Sequence, residues 1–205
     1  MKKLKITVLF LFLIISFSCK KEVENDAKKT QIESSIKYAK GFDIVNENGI
    51  KKLIIKAAYQ NSDKVFEYII KSKKDQKENT KNTIFTPIQK IVVTSTTHIP
   101  MVELLNEETA IIGFPYSKYV SSEKTRLLID ADKIAEIGKE GALNTEILLN
   151  LQPELIVGYS VSTADKSLTT LEKAGINVIY NGDWLEETPL GRAEWIKFFG
   201  VLFDK

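Results

Sequence analysis

From Ile91 to Tyr180 the sequence alternates short apolar runs with stretches of helical period, and this alternation restricts the fold more than any other feature. The apolar runs at 91–93, 110–112, 134–137, 155–157 and 176–180 have strand length, and Gly113, Gly138, Gly158 and the pair Asn181-Gly182 punctuate them. The intervening spacing predicts a helix entered at Pro100 with Met101, Leu104 and Leu105 on its inward face, and a second helix over 122–129. A third covers 145–151, with Asn144 as N-cap and Pro153 closing it. A fourth carries Leu168, Leu171 and Ala174 behind a capping box, Ser162-Thr-Ala-Asp165, with Gly175 just past its end. Strand and helix in regular succession over about a hundred residues predict an α/β fold, a parallel sheet flanked by helices on both faces.

Ahead of this region, residues 41–56 have strand-like content around Asn46-Glu-Asn-Gly49, whose Asn-Gly ending signals a hairpin, and 65–70 supplies a third strand. A small β-rich appendage with a lysine-rich, solvated loop is therefore expected over 36–82, before a main lobe over 83–189. Beyond it, Thr188-Pro189 opens a helix in which Trp195, Phe199 and Phe203 recur every fourth residue, flanked by Ile196 and Leu202. So broad an apolar stripe requires a partner surface, and no internal repeat offers one.

The first eighteen residues read as a targeting segment. Lys2, Lys3 and Lys5 precede an apolar run over 6–15 that is too short to span a bilayer as a folded helix, and Ser16-Phe-Ser18 leads to Cys19. Cys19 is the only cysteine, which excludes a disulfide framework. Cleavage before Cys19 and lipidation of its thiol would follow from the resemblance of this segment to a lipoprotein signal, from which Phe17 departs. An ordinary signal peptide with an incidental cysteine is the other reading. Residues 19–35 are polar and charged and read as a flexible tether. Apart from the three leader lysines, the chain carries one more acidic than basic residue, so charge gives no argument for nucleic-acid binding.

Catalytic residue types are scarce. His98 is the only histidine, so a multi-imidazole metal site cannot form, and its bland status is that of a loop or helix-cap residue. The sequence has no Gly-x-Ser-x-Gly elbow, no phosphate-binding Gly-rich loop and no dinucleotide fingerprint. No enzyme activity and no cofactor are expected, and a metallohydrolase is disfavoured by the single histidine. Binding accounts better for the residues present. In open parallel sheets, ligands sit beyond the carboxyl ends of the strands. Those ends should present Thr96, Thr97 and His98, then Tyr116, then Tyr159 and Ser160, then Asp183 and Trp184. Rings in a cleft suit a bulky, partly apolar ligand, although Tyr116 and Trp184 would equally serve to pack the lobe's own loops.

The run Gly141-Ala-Leu-Asn-Thr-Glu-Ile-Leu-Leu-Asn-Leu-Gln-Pro-Glu-Leu-Ile-Val157 resembles the signature of substrate-binding proteins of ABC importers for iron-siderophores, haem and cobalamin. Lys90-Ile-Val-Val-Thr-Ser-Thr-Thr97, Leu171-Glu-Lys-Ala-Gly-Ile-Asn-Val-Ile179, Gly182-Asp-Trp184 and Thr188-Pro-Leu-Gly-Arg-Ala-Glu-Trp195 are similar to further segments of that family. The resemblance implies a Rossmann-like N-terminal lobe of a helix-bridged two-lobe protein, with 190–205 starting the helical connection and no second lobe within this sequence. It also implies a metal-chelate, corrin or haem ligand, an ABC permease as partner, and attachment to a membrane, on its extracytoplasmic side, through a lipid on Cys19. Spacing alone accounts for Glu146 as compensation of a helix dipole; the family match implies that it docks on permease arginines. The competing expectations are an envelope lipoprotein acting as a protein-binding adaptor, and a truncated, non-functional copy.

Overall fold

In the computed structural model, which describes residues 32–76, 82–139, 141–161 and 165–205, Asn48 and Gly49 both take positive φ, 52° and 81°. This is the backbone of a tight hairpin turn whose twist matches that of the flanking strands, and the Asn46 side chain accepts a hydrogen bond from the Gly49 N–H at 3.0 Å. The turn joins β2 (Phe42–Glu47) to β3 (Ile50–Ile55), and β1 (Ile32–Ser34) and β4 (Phe66–Ser72) flank that pair. Neighbouring strands among these four run antiparallel.

A fifth strand, β5 (Thr83–Thr86), lies parallel to β4 with Ile69 opposite Thr83. The first sheet thus extends across the expected boundary at 82/83 and begins before 36. All four residues of β5, Ile84 and Phe85 with Thr83 and Thr86, are buried, so this edge strand is covered on both faces by the shared core.

The second sheet consists of β6 (Ile91–Val93), β7 (Ile111–Phe114), β8 (Ala135–Glu136), β11 (Leu155–Gly158) and β12 (Val178–Tyr180). Its order is β12-β11-β6-β7-β8 and every pair is parallel. Between β8 and β11, β9 (Gly138–Lys139) and β10 (Ala142–Leu143) form a small antiparallel ribbon. Gly138 therefore opens a ribbon rather than stopping a strand. Its φ is +100°, and a side chain there would place its Cβ 2.8 Å from the Ala142 carbonyl oxygen, so larger residues are excluded.

The α-helices among the described residues are α1 (His98–Leu104), α2 (Glu123–Asp130), α3 (Thr145–Leu151), α4 (Lys166–Lys173), α5 (Pro189–Glu194) and α6 (Ile196–Phe203). Ser122, Asn144 and Thr188 cap the starts of α2, α3 and α5 with their side-chain oxygens. Asp165 caps α4, accepting from the N–H groups of Ser167 and Leu168, so that helix starts at the end of the expected capping box. Residues 162–164 of that box, the signal segment 1–18, Cys19, the tether as far as residue 31 and 77–81 of the lysine-rich loop lie outside the described residues.

On α1 the inward face is His98, Ile99 and Val102, not the expected set: Leu104 is 72% exposed, while Met101 and Leu105 are only partly covered. Both sets satisfy helical spacing, and the packing of α6 decides between them. The Phe199 ring lies 5.5 Å from His98, and on its other side α6 meets the first sheet, with Trp195 4.4 Å from Phe42. The partner surface for the aromatic stripe is thus the amino-terminal sheet together with α1. Trp195, Phe198, Phe199 and Leu202 are fully buried there, each contributing about 1.5–3 kcal/mol by area. A continuous apolar core joins the two sheets, so the appendage and the lobe share one interior. Among the described residues no helix is long and apolar enough to cross a membrane.

Candidate functional site

The central strand of the parallel sheet is β6, and the chain leaves it on one side for β7 and β8 and returns on the other at β11 and β12. Loops after β6 and β11 therefore diverge, and a crevice opens at the carboxyl edge where the strand order reverses. Thr94 pins its floor. Its N–H and hydroxyl both donate to the Val157 carbonyl at 3.2 Å, and the hydroxyl accepts from the Tyr159 N–H at 2.7 Å. The resulting cleft has a volume of about 620 Å³, with Thr94, Ser95 and Thr96 on one loop, Phe114, Pro115, Tyr116 and Tyr119 on another, and Tyr159 on a third. Hollows of about 410 and 430 Å³ lie at the opposite edge of the sheet, around Ile176 and Asn177. That edge carries the amino ends of the strands, where open parallel sheets do not ordinarily bind ligands.

The wall after β7 is held by its backbone. Tyr116 has φ of 54°, a left-handed conformation that a bulky side chain adopts only under constraint. The constraint is visible: Glu136 accepts from the N–H of Tyr116 at 2.6 Å and of Ser117 at 2.8 Å, and the Tyr116 N–H also reaches the Gly138 carbonyl at 3.0 Å. Arg126 donates to the Ser117 carbonyl at 2.8 Å. Burial pushes the Glu136 carboxyl up, but the hydroxyl and N–H of Ser117 and the N–H of Tyr116 outweigh it and hold the group below its ordinary value. The Tyr116 and Tyr119 ring centroids lie 5.4 Å apart, with the rings tilted by 31°.

Thr96, Tyr116 and Tyr159 of the expected site line this cleft. Thr97 is exposed at the start of α1, bonded to the Ser95 hydroxyl, and does not line it. His98 turns into the core. It is fully buried against Phe199, and neither ring nitrogen has a hydrogen-bond partner among the described residues. Burial pushes its pKa down to about 4 against the opposing charge of Asp183. The ring is therefore a neutral packing element rather than a cleft group. Ser160 and Asp183 are also buried, and the Asp183 N–H bonds the Asn181 side chain. Trp184 does not line the cleft but packs edge-on against Tyr159, which does, at 5.9 Å. Tyr119 is a lining residue that the sequence did not single out, although its spacing of three from Tyr116 after Pro115 is that of a tight turn placing two rings together.

Glu146 is exposed in the first turn of α3. That helix begins at the same edge as the cleft: the Asn144 N–H donates to the Ile137 carbonyl at 2.9 Å, one residue from the Gly138 carbonyl that receives Tyr116. Among the described residues no group of three His, Cys, Asp or Glu side chains is placed to hold a metal ion.

No family model matches the chain. It is 26% identical over 129 residues to an uncharacterized lipoprotein, MJ0878, of Methanocaldococcus jannaschii, covering 60% of this chain and 31% of that one. To the lipoprotein MJ0872 of the same organism it is 32% identical over 89 residues, 43% of this chain and 23% of the relative. The chain thus spans about a third or less of these relatives. Among solved structures it is similar to the petrobactin-binding protein YclQ of Bacillus subtilis, with 18% identity, TM-score 0.45 and coverage of 74% and 46%. A periplasmic binding protein of Veillonella parvula aligns with 17% identity, TM-score 0.47 and coverage of 84% and 49%. The periplasmic heme-binding protein HutB of Vibrio cholerae aligns with 18% identity, TM-score 0.43 and coverage of 55% and 40%.

Proposed function

We propose that this chain is the ligand-holding lobe of a solute-binding lipoprotein that takes up a bulky, partly apolar metal chelate, haem or corrin and presents it to an ABC permease. The observation that carries the reading is the cleft at the strand-order reversal, walled by Tyr116, Tyr119 and Tyr159 and floored by the hydroxyls of Thr94, Ser95 and Thr96. Rings offer stacking area and hydroxyls fix orientation, which is the division of labour in small-molecule sites. The proposed action is reversible capture and release, without a covalent step. Export, and a lipid on Cys19, are supported by the leader sequence and by the lipoprotein relatives. Glu146 stands on the rim side of the fold, exposed to any cationic surface that meets it, which supports a docking role.

Fluorescence titration of the purified chain tests the proposal, because Trp184 packs edge-on to Tyr159 and reports on the cleft. Haemin, ferric siderophores and cobalamins are the probes. Saturable quenching by one of them, lost in Tyr159→Ala, is the expected result. A flat response to all of them, with co-purification of an envelope protein instead, would replace this reading with that of an adaptor.

A further inference from the structure

The lining of the cleft is uncharged, yet its lip is not. Lys118 reaches both rings of the tyrosine pair, with its ammonium 5.1 Å from the centroids of both Tyr116 and Tyr119. Lys139, reaching over from β9, places a second ammonium 5.6 Å from the Tyr116 ring. Electron-rich ring faces hold such cations in place. Among the described residues neither lysine has an ion-pair partner. The nearby carboxylate, Glu136, is committed to the N–H groups of Tyr116 and Ser117, and the nearby guanidinium, Arg126, to the Ser117 carbonyl and Asp130. Two ammonium groups are therefore stationed at one edge of an aromatic cleft, with no ion-pair partner among the described residues.

The geometry points to a ligand that is both aromatic and anionic, whose negative groups are received by Lys118 and Lys139 while its rings meet Tyr116, Tyr119 and Tyr159. A catecholate-type ferric chelate and a carboxylate-bearing porphyrin share this chemistry; a neutral trihydroxamate chelate and a neutral corrin lack it. The inference rests on the solute-binding reading and narrows it. Lys118 and Lys139 are the specificity determinants, selecting for charge. Glu136 and Arg126 are positioning residues that keep the tyrosine turn, and through it Lys118, in place.

The test compares four probes on the full chain by fluorescence titration at low and high salt: haemin, a ferric catecholate of 2,3-dihydroxybenzoate, ferrichrome and cyanocobalamin. One of the two anionic probes is expected to bind, and more weakly as salt screens the lysines. In Lys118→Gln/Lys139→Gln its affinity is expected to fall at least about tenfold, and in Lys118→Arg/Lys139→Arg to be retained, since the cations and their ring contacts survive. A neutral probe that binds as tightly as the anionic ones would overturn the inference while leaving solute capture standing. So would an anionic probe whose affinity is unchanged by the glutamine pair. Silence from all four probes would remove the solute-binding reading itself, and this inference with it.

Discussion

At His98 the environment, not the residue type, sets the chemistry. The imidazole is wholly enclosed and its folded pKa of about 4 lies below the ordinary 6.5. The unfolded chain therefore binds the proton more readily, and protonation favours unfolding: the stabilisation is complete above the unfolded value and is lost as pH falls from 6.5 towards 4. This single group accounts for a slope of up to about 1.4 kcal/mol per pH unit within that window. In His98→Phe the ring contact with Phe199 persists and the titrating group is gone. Urea melts at pH 7 and pH 5 should show the stability difference between those pH values shrinking in the variant. An undiminished difference would place the acid sensitivity elsewhere. That a lone histidine after a hydroxyl-rich loop points inward was not legible in the sequence, because Thr97 and His98 differ in fate only through the aromatic surface of α6.

Between elements, two carboxylates tie the segment ahead of β2 to α5 and its approach. Glu194 accepts from the N–H groups of Lys37, Tyr38 and Ala39 and from the Lys197 ammonium, and Glu186 from those of Lys40 and Gly41 and from the Trp195 indole. Burial pushes the Glu194 carboxyl up, but Lys197 and the three N–H groups outweigh it and bring its pKa down to about 2. Glu194→Ala would leave those N–H groups without their acceptor, at about 1–3 kcal/mol for each one that water cannot reach. A thermal melt should fall by several degrees, and hydrogen exchange at 37–39 should quicken more than in β6; uniform exchange would show that the tie is not local. Gly182 marks a second junction, where an added Cβ would stand 1.9 Å from the Ala57 carbonyl oxygen. Both are backbone positions with little room to yield, so Gly182→Ala should reduce soluble yield and stability by more than about 3 kcal/mol on denaturant unfolding, whereas Gly49→Ala, with open space around it, should cost less. Where elements begin was readable, because Asn144, Ser122 and the Asn48-Gly49 turn act through short-range chemistry. Pairings such as β5 on β4, or Glu194 on Lys37, depend on residues far apart and left no local trace.

For the whole molecule, the cleft and Glu146 occupy the same edge of the sheet, so capture and delivery would share one face. Glu146→Ala should leave probe affinity within about twofold, because the side chain is exposed and does not line the cleft, and should reduce permease-dependent uptake about tenfold. Unchanged uptake would withdraw the docking role. The parallel sheet was legible because strands covered on both faces read as unbroken apolar runs, and the cleft loops followed from the position of those runs. The partner of α6 was not legible, since it is a sheet built from half-polar strands far earlier in the sequence. That arrangement has a kinetic corollary. Lys37 finds Glu194 only across 157 residues, so the face of the amino-terminal sheet that receives Trp195 and Phe198 stays uncovered until α5 and α6 have been made. A chain threaded head-first through a secretion pore would carry that face bare for most of its passage, and would seal it only once those two helices had cleared the channel.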